Sequence, residues 1–241
     1  VSHEEMMQYD RNPVIVHRDL YYESVGLFMA RDSRLYLAVK GGDNDDSHNH
    51  NDVGSFTIYK DGKPIFIDAG VETYTKKTFS PDRYDIWTMQ SRYHNLPTFV
   101  DHGRETVQQA GEQYCAADVR YELGETACRI SMDIRQAYPD DRIRSYTREA
   151  VLEKEKSITI SDHYEGDGGT AVLSLMFCEK PVIDQNTIRI GDLAVCAVEG
   201  ASSITVEEIP VTDERLKTAW KHKLYRCLVT MEAHDLTLTI V

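Results

Sequence analysis

The chain has 241 residues, 41% hydrophobic and 28% charged, which is enough apolar material to bury a sizeable core. Its 27 basic and 40 acidic residues leave a net charge of −13, a balance that repels nucleic acid and anionic membrane surfaces and excludes both as expected partners. No run approaches the roughly 18 consecutive apolar residues that a membrane-spanning helix needs.

The first residues, Val1-Ser2-His3-Glu4-Glu5, show no basic region and no apolar stretch, so no signal peptide is read there. Ser2 and Glu5 have the spacing of a capping box for one or two helical turns. With no initiator Met and a start inside a pattern, the expectation is a piece excised from a longer chain.

Short alternating or apolar runs follow, at 26–30, 34–39, 55–59, 64–68, 128–134, 157–164, 171–177, 194–198, 204–209, 224–231 and 236–241. Turn signals separate them: Asp61-Gly62, Asp140-Asp141, Gly166-Asp167-Gly168-Gly169 and Gly191-Asp192. Many short strands with almost no helical periodicity predict an all-β fold, an antiparallel two-sheet β-sandwich with few short helices. The segment 213–222 is the main helical candidate. No repeat, low-complexity tract or linker divides the chain, so residues 1–241 read as a single domain.

The hairpin at Asp61-Gly62 can be worked out in detail. A two-residue turn pairs Lys60 with Lys63, so Ile58 faces Ile65 and Phe56 faces Ile67 on one apolar face. Thr57 with Phe66, and Ser55 with Asp68, fall on the other. Continued regularly, that ladder would turn His48, His50 and Asp52 away from Asp68. For His50 and Asp68 to meet, the strand must slip by one residue, and Gly54 is the residue that tolerates it. A shared site therefore predicts a bulge or break near Val53-Gly54, and a regular ladder there would exclude it.

The reason to want such a site is Ser47-His48-Asn49-His50-Asn51-Asp52, followed by Asp68 and by Arg92-Tyr93-His94-Asn95. On an extended segment His48 and His50 would share one face. Two imidazoles and a carboxylate with an open fourth position suit zinc, and other divalent metals are compatible. The plainer alternative is that these imidazoles hydrogen-bond loop backbone. Asp43, Asp45 and Asp46 lack the Gly and terminal Glu of a calcium loop and read as a solvated acidic loop. The segment 72–95 carries Lys76, Lys77, Arg83 and Arg92 against Glu72, Asp82 and Asp85, a slightly positive stretch in an acidic chain.

Cys115, Cys128, Cys178, Cys196 and Cys227 show no CxxC and are odd in number, so free, mostly buried thiols are expected rather than a disulfide framework. Trp87 would stack on a sugar ring or pack in the protein, and Trp220 reads as core. Arg92 would hold a substrate carboxylate bidentately or pair with Asp85 or another nearby acid. His163, His222 and His234 read as ordinary strand or loop residues, and His3 and His17 as exposed ones.

The run His48-Asn49-His50-Asn51-Asp52-Val53-Gly54-Ser55-Phe56, then Phe66-Ile67-Asp68-Ala69-Gly70, then Arg92-Tyr93-His94-Asn95, resembles the heparinase II/III-like polysaccharide lyases. The likeness is clear over about residues 40–100. It implies the C-terminal, supersandwich-like β-domain of a larger lyase whose N-terminal α-helical toroid lies outside this chain. It implies His50, Asp68 and His94 as metal ligands, usually for zinc, and His48 in the catalytic cleft. A loop tyrosine also reaches that cleft in such enzymes, with Tyr84 the candidate and Tyr74 the alternative. The reaction implied is β-elimination on an anionic uronic-acid polysaccharide of glycosaminoglycan or alginate type. The toroid would supply a carboxylate-neutralising Asn or His and the principal Tyr, so the isolated chain is expected to be inactive.

Two other readings stay open at this point. One is a non-catalytic carbohydrate-binding sandwich with a structural metal. The other is a metal-dependent hydrolase complete in itself. The resemblance implies a periplasmic or secreted location, whereas five unpaired cysteines lean towards a reducing compartment, and the compartment stays open.

Overall fold

A computed structural model describes residues 18–241. The Ser2–Glu5 capping box, His3 and His17 lie outside the described residues. The β-sandwich expectation is borne out: antiparallel strands dominate and helix is scarce. Among the described residues no helix is long and apolar enough to cross a membrane.

Three larger sheets build the fold. The first orders Leu20–Tyr22, Leu27–Arg31, Leu35–Lys40, Phe56–Lys60 and Lys63–Phe66. The second has eight strands, with Ile143–Glu153 and Ser157–Gly166 near its middle and Asp235–Ile240 beside them. The third orders Ala201–Pro210, Lys223–Met231, Thr170–Phe177, Pro97–Asp101 and Arg104–Thr106. Just past the end of the first sheet, the Ile67 amide donates to the Met176 carbonyl of the third at 3.0 Å. Buried side chains from all three form one continuous core, including Phe28, Phe56, Phe66, Phe99, Tyr146 and Phe177. Ile67, Met176, Leu216 and Leu224 form a smaller cluster, against which Trp87 and Trp220 pack.

Every run read from the sequence overlaps a strand. Ile143–Glu153 was not among them, although its burial alternates along much of its length. The reason is Arg148: a fully buried arginine stands where the pattern calls for an apolar residue. Pro97–Asp101 begins with a proline, and Ala117–Leu123 is mostly exposed, so neither gives an apolar signal. The helix forms at Glu214–Trp220, where the Asp213 carboxylate accepts from the Arg215 and Leu216 amides as an N-cap.

The hairpin departs from the expected register. Lys60 pairs with Lys63 and Tyr59 with Pro64, but Ile58 then pairs with Phe66 instead of Ile65. The strand ends at Phe66, so Asp68 is not paired with Ser55. Ile65, Phe66 and Ile67 are consecutive and all buried, at 1%, 0% and 0% exposure. A regular strand would send one of them to the other face; the bulge and strand end put the first two in the main core and the third in the smaller one.

The five cysteines are free, as expected. Cys128, Cys196 and Cys227 are buried, while Cys115 and Cys178 are half-buried.

Arg148 is the polar centre of this core. Its guanidinium makes a bidentate pair with Asp162, at 2.7 and 2.6 Å. Its remaining donors reach the Gly54 carbonyl at 2.7 Å and the Asn95 carbonyl at 2.8 Å. Asp162 also accepts from the Tyr146 hydroxyl at 2.7 Å. Removing one partner of such a buried pair strands the other and costs about 3–5 kcal/mol. Arg148→Ala is expected to lower unfolding stability by that amount in urea denaturation, whereas the paired change Arg148→Met with Asp162→Leu should cost distinctly less. Equal costs would mean that no stranded charge is involved.

Candidate metal centre and cleft

Residues 45–55 contain no strand, and they begin the site. The predicted break is present: Gly54 has φ +88, and the Ser55 amide closes a turn onto the Asp52 carbonyl at 2.9 Å. A Cβ built on Gly54 would lie 2.8 Å from Ile134 Cγ2, so close packing as well as dihedral angle requires glycine.

Side chains take the place of a ladder here. Gln108, 1% exposed, accepts from the Val53 amide at 3.1 Å and donates to the Val53 carbonyl at 2.7 Å, as a neighbouring strand would. Asn95, fully buried, donates to the carbonyls of Phe56 and Ile67 at 2.6 and 3.1 Å and accepts from the Met176 amide at 2.7 Å. Arg83 donates twice to the Asn49 carbonyl, at 2.9 and 2.7 Å, and once to that of Thr78 at 2.8 Å. Sequence reasoning assigned no such role to Gln108, Asn95, Arg83 or Arg148. Asn95 stood inside the recognised run, but the other three carry no signal in one sequence.

This scaffold brings His50, Asp68 and His94 together. One ligand atom from each lies within 4.8 Å of the others. His94 Nδ1 is 2.9 Å from Asp68 Oδ2, while His94 Nε2 lies 3.1 Å from the Thr88 carbonyl. The carbonyl accepts the Nε2 proton, so Nδ1 is left as the nitrogen that faces Asp68 and His50. The His50 and His94 rings are 5.2 Å apart. The plainer alternative, imidazoles bonding to loop backbone, therefore holds for one nitrogen of His94 and not for the cluster.

Burial and the neighbouring charges shift each of these groups. Burial, then the charge of His94, lowers the His50 pKa to about 4, so this imidazole is neutral. Burial opposes charge on His94, but the Asp68 carboxylate outweighs it and raises the pKa. Burial likewise opposes charge on Asp68, yet His94 and His50 hold it well below the usual carboxylate range. Burial pushes neighbouring Asp52 up to about 6. Asp52 Oδ1 is buried without a hydrogen-bond partner. Two imidazole nitrogens and one carboxylate oxygen within 4.8 Å of one another are a donor set compatible with tetrahedral zinc and one open position.

His48 does not share a face with His50 on an extended segment. Its φ is +62, a left-handed conformation uncommon outside glycine. The exposed imidazole is stacked on Tyr74, with centroids 5.8 Å apart, and meets Phe79 edge-on. Arg215 lies over Tyr74, 5.1 Å from its centroid. His48, His50, Asp52 and Asp68 line one cavity of about 360 Å³. The Tyr84 hydroxyl is 3.3 Å from Asn49 Nδ2, so it lies beside the same loop without stacking on His48.

Arg92 pairs with Glu105 at 2.7 Å and not with Asp85, which pairs with Lys77. Trp87, half-buried, donates to Glu72 at 2.7 Å and meets Tyr93 edge-on. Trp220 donates to the Ala69 carbonyl next to Asp68. Asp46 pairs with Lys40 and Asp43 accepts from the Asp45 amide, so this acidic loop is tied internally. His163 pairs with Asp235, and His234 contacts the Tyr164 carbonyl.

The family described as "Heparinase II/III-like, C-terminal" matches residues 17–222. No curated protein matches the chain. Among solved structures, a heparinase III gene product aligns with TM-score 0.70 and 15% identity over 95% of this chain and 36% of its own. A heparan sulfate lyase from Pedobacter heparinus aligns with TM-score 0.68 and 17% identity, over 98% and 37%. At these identities the likeness is one of fold, and the chain spans little more than a third of those proteins.

Zinc at a hundredfold excess over its dissociation constant is expected to stabilise the chain by about 2.7 kcal/mol. His50→Ala should abolish that increment in thermal unfolding; an undiminished increment would place the metal elsewhere. Because binding must displace the His94 proton, zinc affinity should fall about tenfold per pH unit below the raised His94 pKa. Calorimetric titrations across pH 5–8 would show affinity flat with pH if that proton is not displaced.

Proposed function

The chain belongs to the heparinase II/III-like family, matching its C-terminal domain, and on that premise we propose that it forms one wall of the cleft of a polysaccharide lyase. The substrate class is an anionic polysaccharide containing uronic acid, cleaved by β-elimination. The observation that carries this reading is the placing of His48. It is exposed, left-handed, stacked on Tyr74 and edge-on to Phe79, at a cavity it shares with His50 and Asp68. A non-glycine residue held in that conformation beside a titratable cluster is the kind of strain that marks a working site.

In the reaction, a base removes the proton at C5 of the uronate. The electron pair forms the C4–C5 double bond, and the 4-linked oxygen leaves with a proton from an acid. The C5 proton is poorly acidic beside a carboxylate that is already negative, so that carboxylate needs donors or a cation against it. The base and acid must flank the bond, which suits the imidazole of His48 and the hydroxyl of Tyr84. Tyr74 orients His48 by stacking, and Arg92 offers a guanidinium for a substrate carboxylate. Trp87 supports the loop from behind.

His50, Asp68 and His94 would hold the metal, zinc by donor chemistry. Bound there, it would supply positive charge at the point where the three chain segments carrying these residues meet. The residues then fix the loop that carries His48. The opposite wall, with the Asn or His that neutralises the carboxylate and a further Tyr, belongs in this reading to an N-terminal α-helical toroid of the same parent chain.

Incubating this chain alone with heparan sulfate, hyaluronan and alginate is expected to give no unsaturated, ultraviolet-absorbing product. The same chain joined to the toroid domain of its parent should give that product, and His48→Ala in the joined protein should reduce kcat by about 10²–10⁴-fold. Binding without turnover by the joined protein would favour a carbohydrate-binding module. Products lacking the double bond would favour a hydrolase.

A further inference from the structure

A second cavity, of about 240 Å³, has Tyr84 in its lining. Asn51, Tyr84, Gln90, Arg92 and Gln109 are among its lining residues. The Tyr84 hydroxyl meets Asn49, which lines the His48 cavity, so this tyrosine links the walls of the two.

Two buried polar atoms on this lining have no partner: the Asn51 carboxamide oxygen and Arg92 Nε. Asn51 is 4% exposed, and its amide nitrogen is already used on the Gln108 carbonyl at 3.2 Å. Arg92 uses Nη1 on Glu105. Buried polar atoms are seldom left unpaired, so each of these wants a complement. One is an acceptor and the other a donor, and the residues that carry them line one cavity. A group that fits must offer a hydroxyl to Asn51 and accept from Arg92.

Charge narrows the class. The chain as a whole is at −13. Yet Arg92 is the one charged residue on this lining, which contains no carboxylate. The His48 cavity, by contrast, is lined by Asp46, Asp52 and Asp68 against Lys40. A guanidinium edge among carboxamides suits a carboxylate carried on a hydroxylated ring. The volume lies below the range usual for drug-sized ligands and is suited to one ring.

We propose that this cavity is a second saccharide subsite, where Arg92 takes the carboxylate of an acidic sugar and Asn51 one of its hydroxyls. Gln90 and Gln109 face the remaining hydroxyls, and Tyr84 separates this ring from the one at His48. The assignment rests on the reading of the chain as a wall of a uronan cleft.

The test is a nuclear magnetic resonance titration of this chain with D-glucuronate and, separately, D-glucose. The backbone amides of Gln90, Ser91 and Gln109 are expected to shift with glucuronate and stay still with glucose. Arg92→Gln should weaken glucuronate by about tenfold or more. Gln109→Glu, at an exposed position, should weaken it too while leaving the unfolding midpoint unchanged, so the result does not depend on Arg92→Gln folding normally. Shifts confined to His48, Asn49 and Gly70, an equal response to glucose, or no response at all would overturn the subsite and leave its two unpaired atoms to ordered water only. If these amides respond but the joined parent protein makes no unsaturated product, the lyase reading fails and the subsite stands. If product forms while they stay silent, the subsite fails alone.

Discussion

The Arg148–Asp162 pair is the interaction on which the candidate site depends. A guanidinium at 1% exposure must find acceptors, because the cost of burying a bare cation exceeds what a domain of this size can spare. Asp162 satisfies two of its donors. The other two contacts, to Gly54 and Asn95, reach out of the eight-stranded sheet into the two segments flanking the metal cluster. Phe56, whose ring is 5.0 Å from the guanidinium carbon, packs against the same group. One residue on a central strand thereby anchors the turn after His50 and the residue after His94.

That anchoring explains how an irregular loop carries a defined geometry. Residues 45–55 lack a strand ladder of their own, yet Val53 is bonded at both ends by Gln108 and Gly54 at its carbonyl by Arg148. Asn95 extends the same logic by binding the Phe56 and Ile67 carbonyls at the end of the hairpin. These contacts deliver Asp68 towards His94 without a ladder between them. Burial of these polar groups is tolerated because they have partners; loss of any one would leave several orphaned atoms.

The sequence made the site's residue types legible and left its support hidden. The His48–Asp52 run, Asp68 and His94 stood out because imidazoles and carboxylates cluster rarely in a β-rich chain; the family resemblance singled out His50, Asp68 and His94 among them, and the strand break at Gly54 followed from counting faces. The one-residue bulge at Ile65 did not, because Ile65-Phe66-Ile67 reads equally well as a regular strand until the two cores are known. Arg148, Asp162 and Gln108 belong to no motif, and nothing in the sequence marks them as buried. The contacts by which Arg148 and Gln108 support the site reach Gly54, Asn95 and Val53, each more than fifty positions away, which one sequence cannot pair. His48 was placed on the right loop but on an extended backbone; its left-handed φ turns it towards Tyr74 and Phe79.

The central claim is that His50, Asp68 and His94 hold one metal and that the surrounding scaffold exists to keep them there. Anomalous diffraction at the zinc absorption edge, from crystals grown with zinc, tests it most directly. The account predicts one strong peak about 2.0–2.2 Å from His94 Nδ1, an imidazole nitrogen of His50 and an Asp68 oxygen, with the His94 Nε2 contact to Thr88 retained. No peak at this position with zinc supplied, or a peak bound through His94 Nε2 instead, would contradict it.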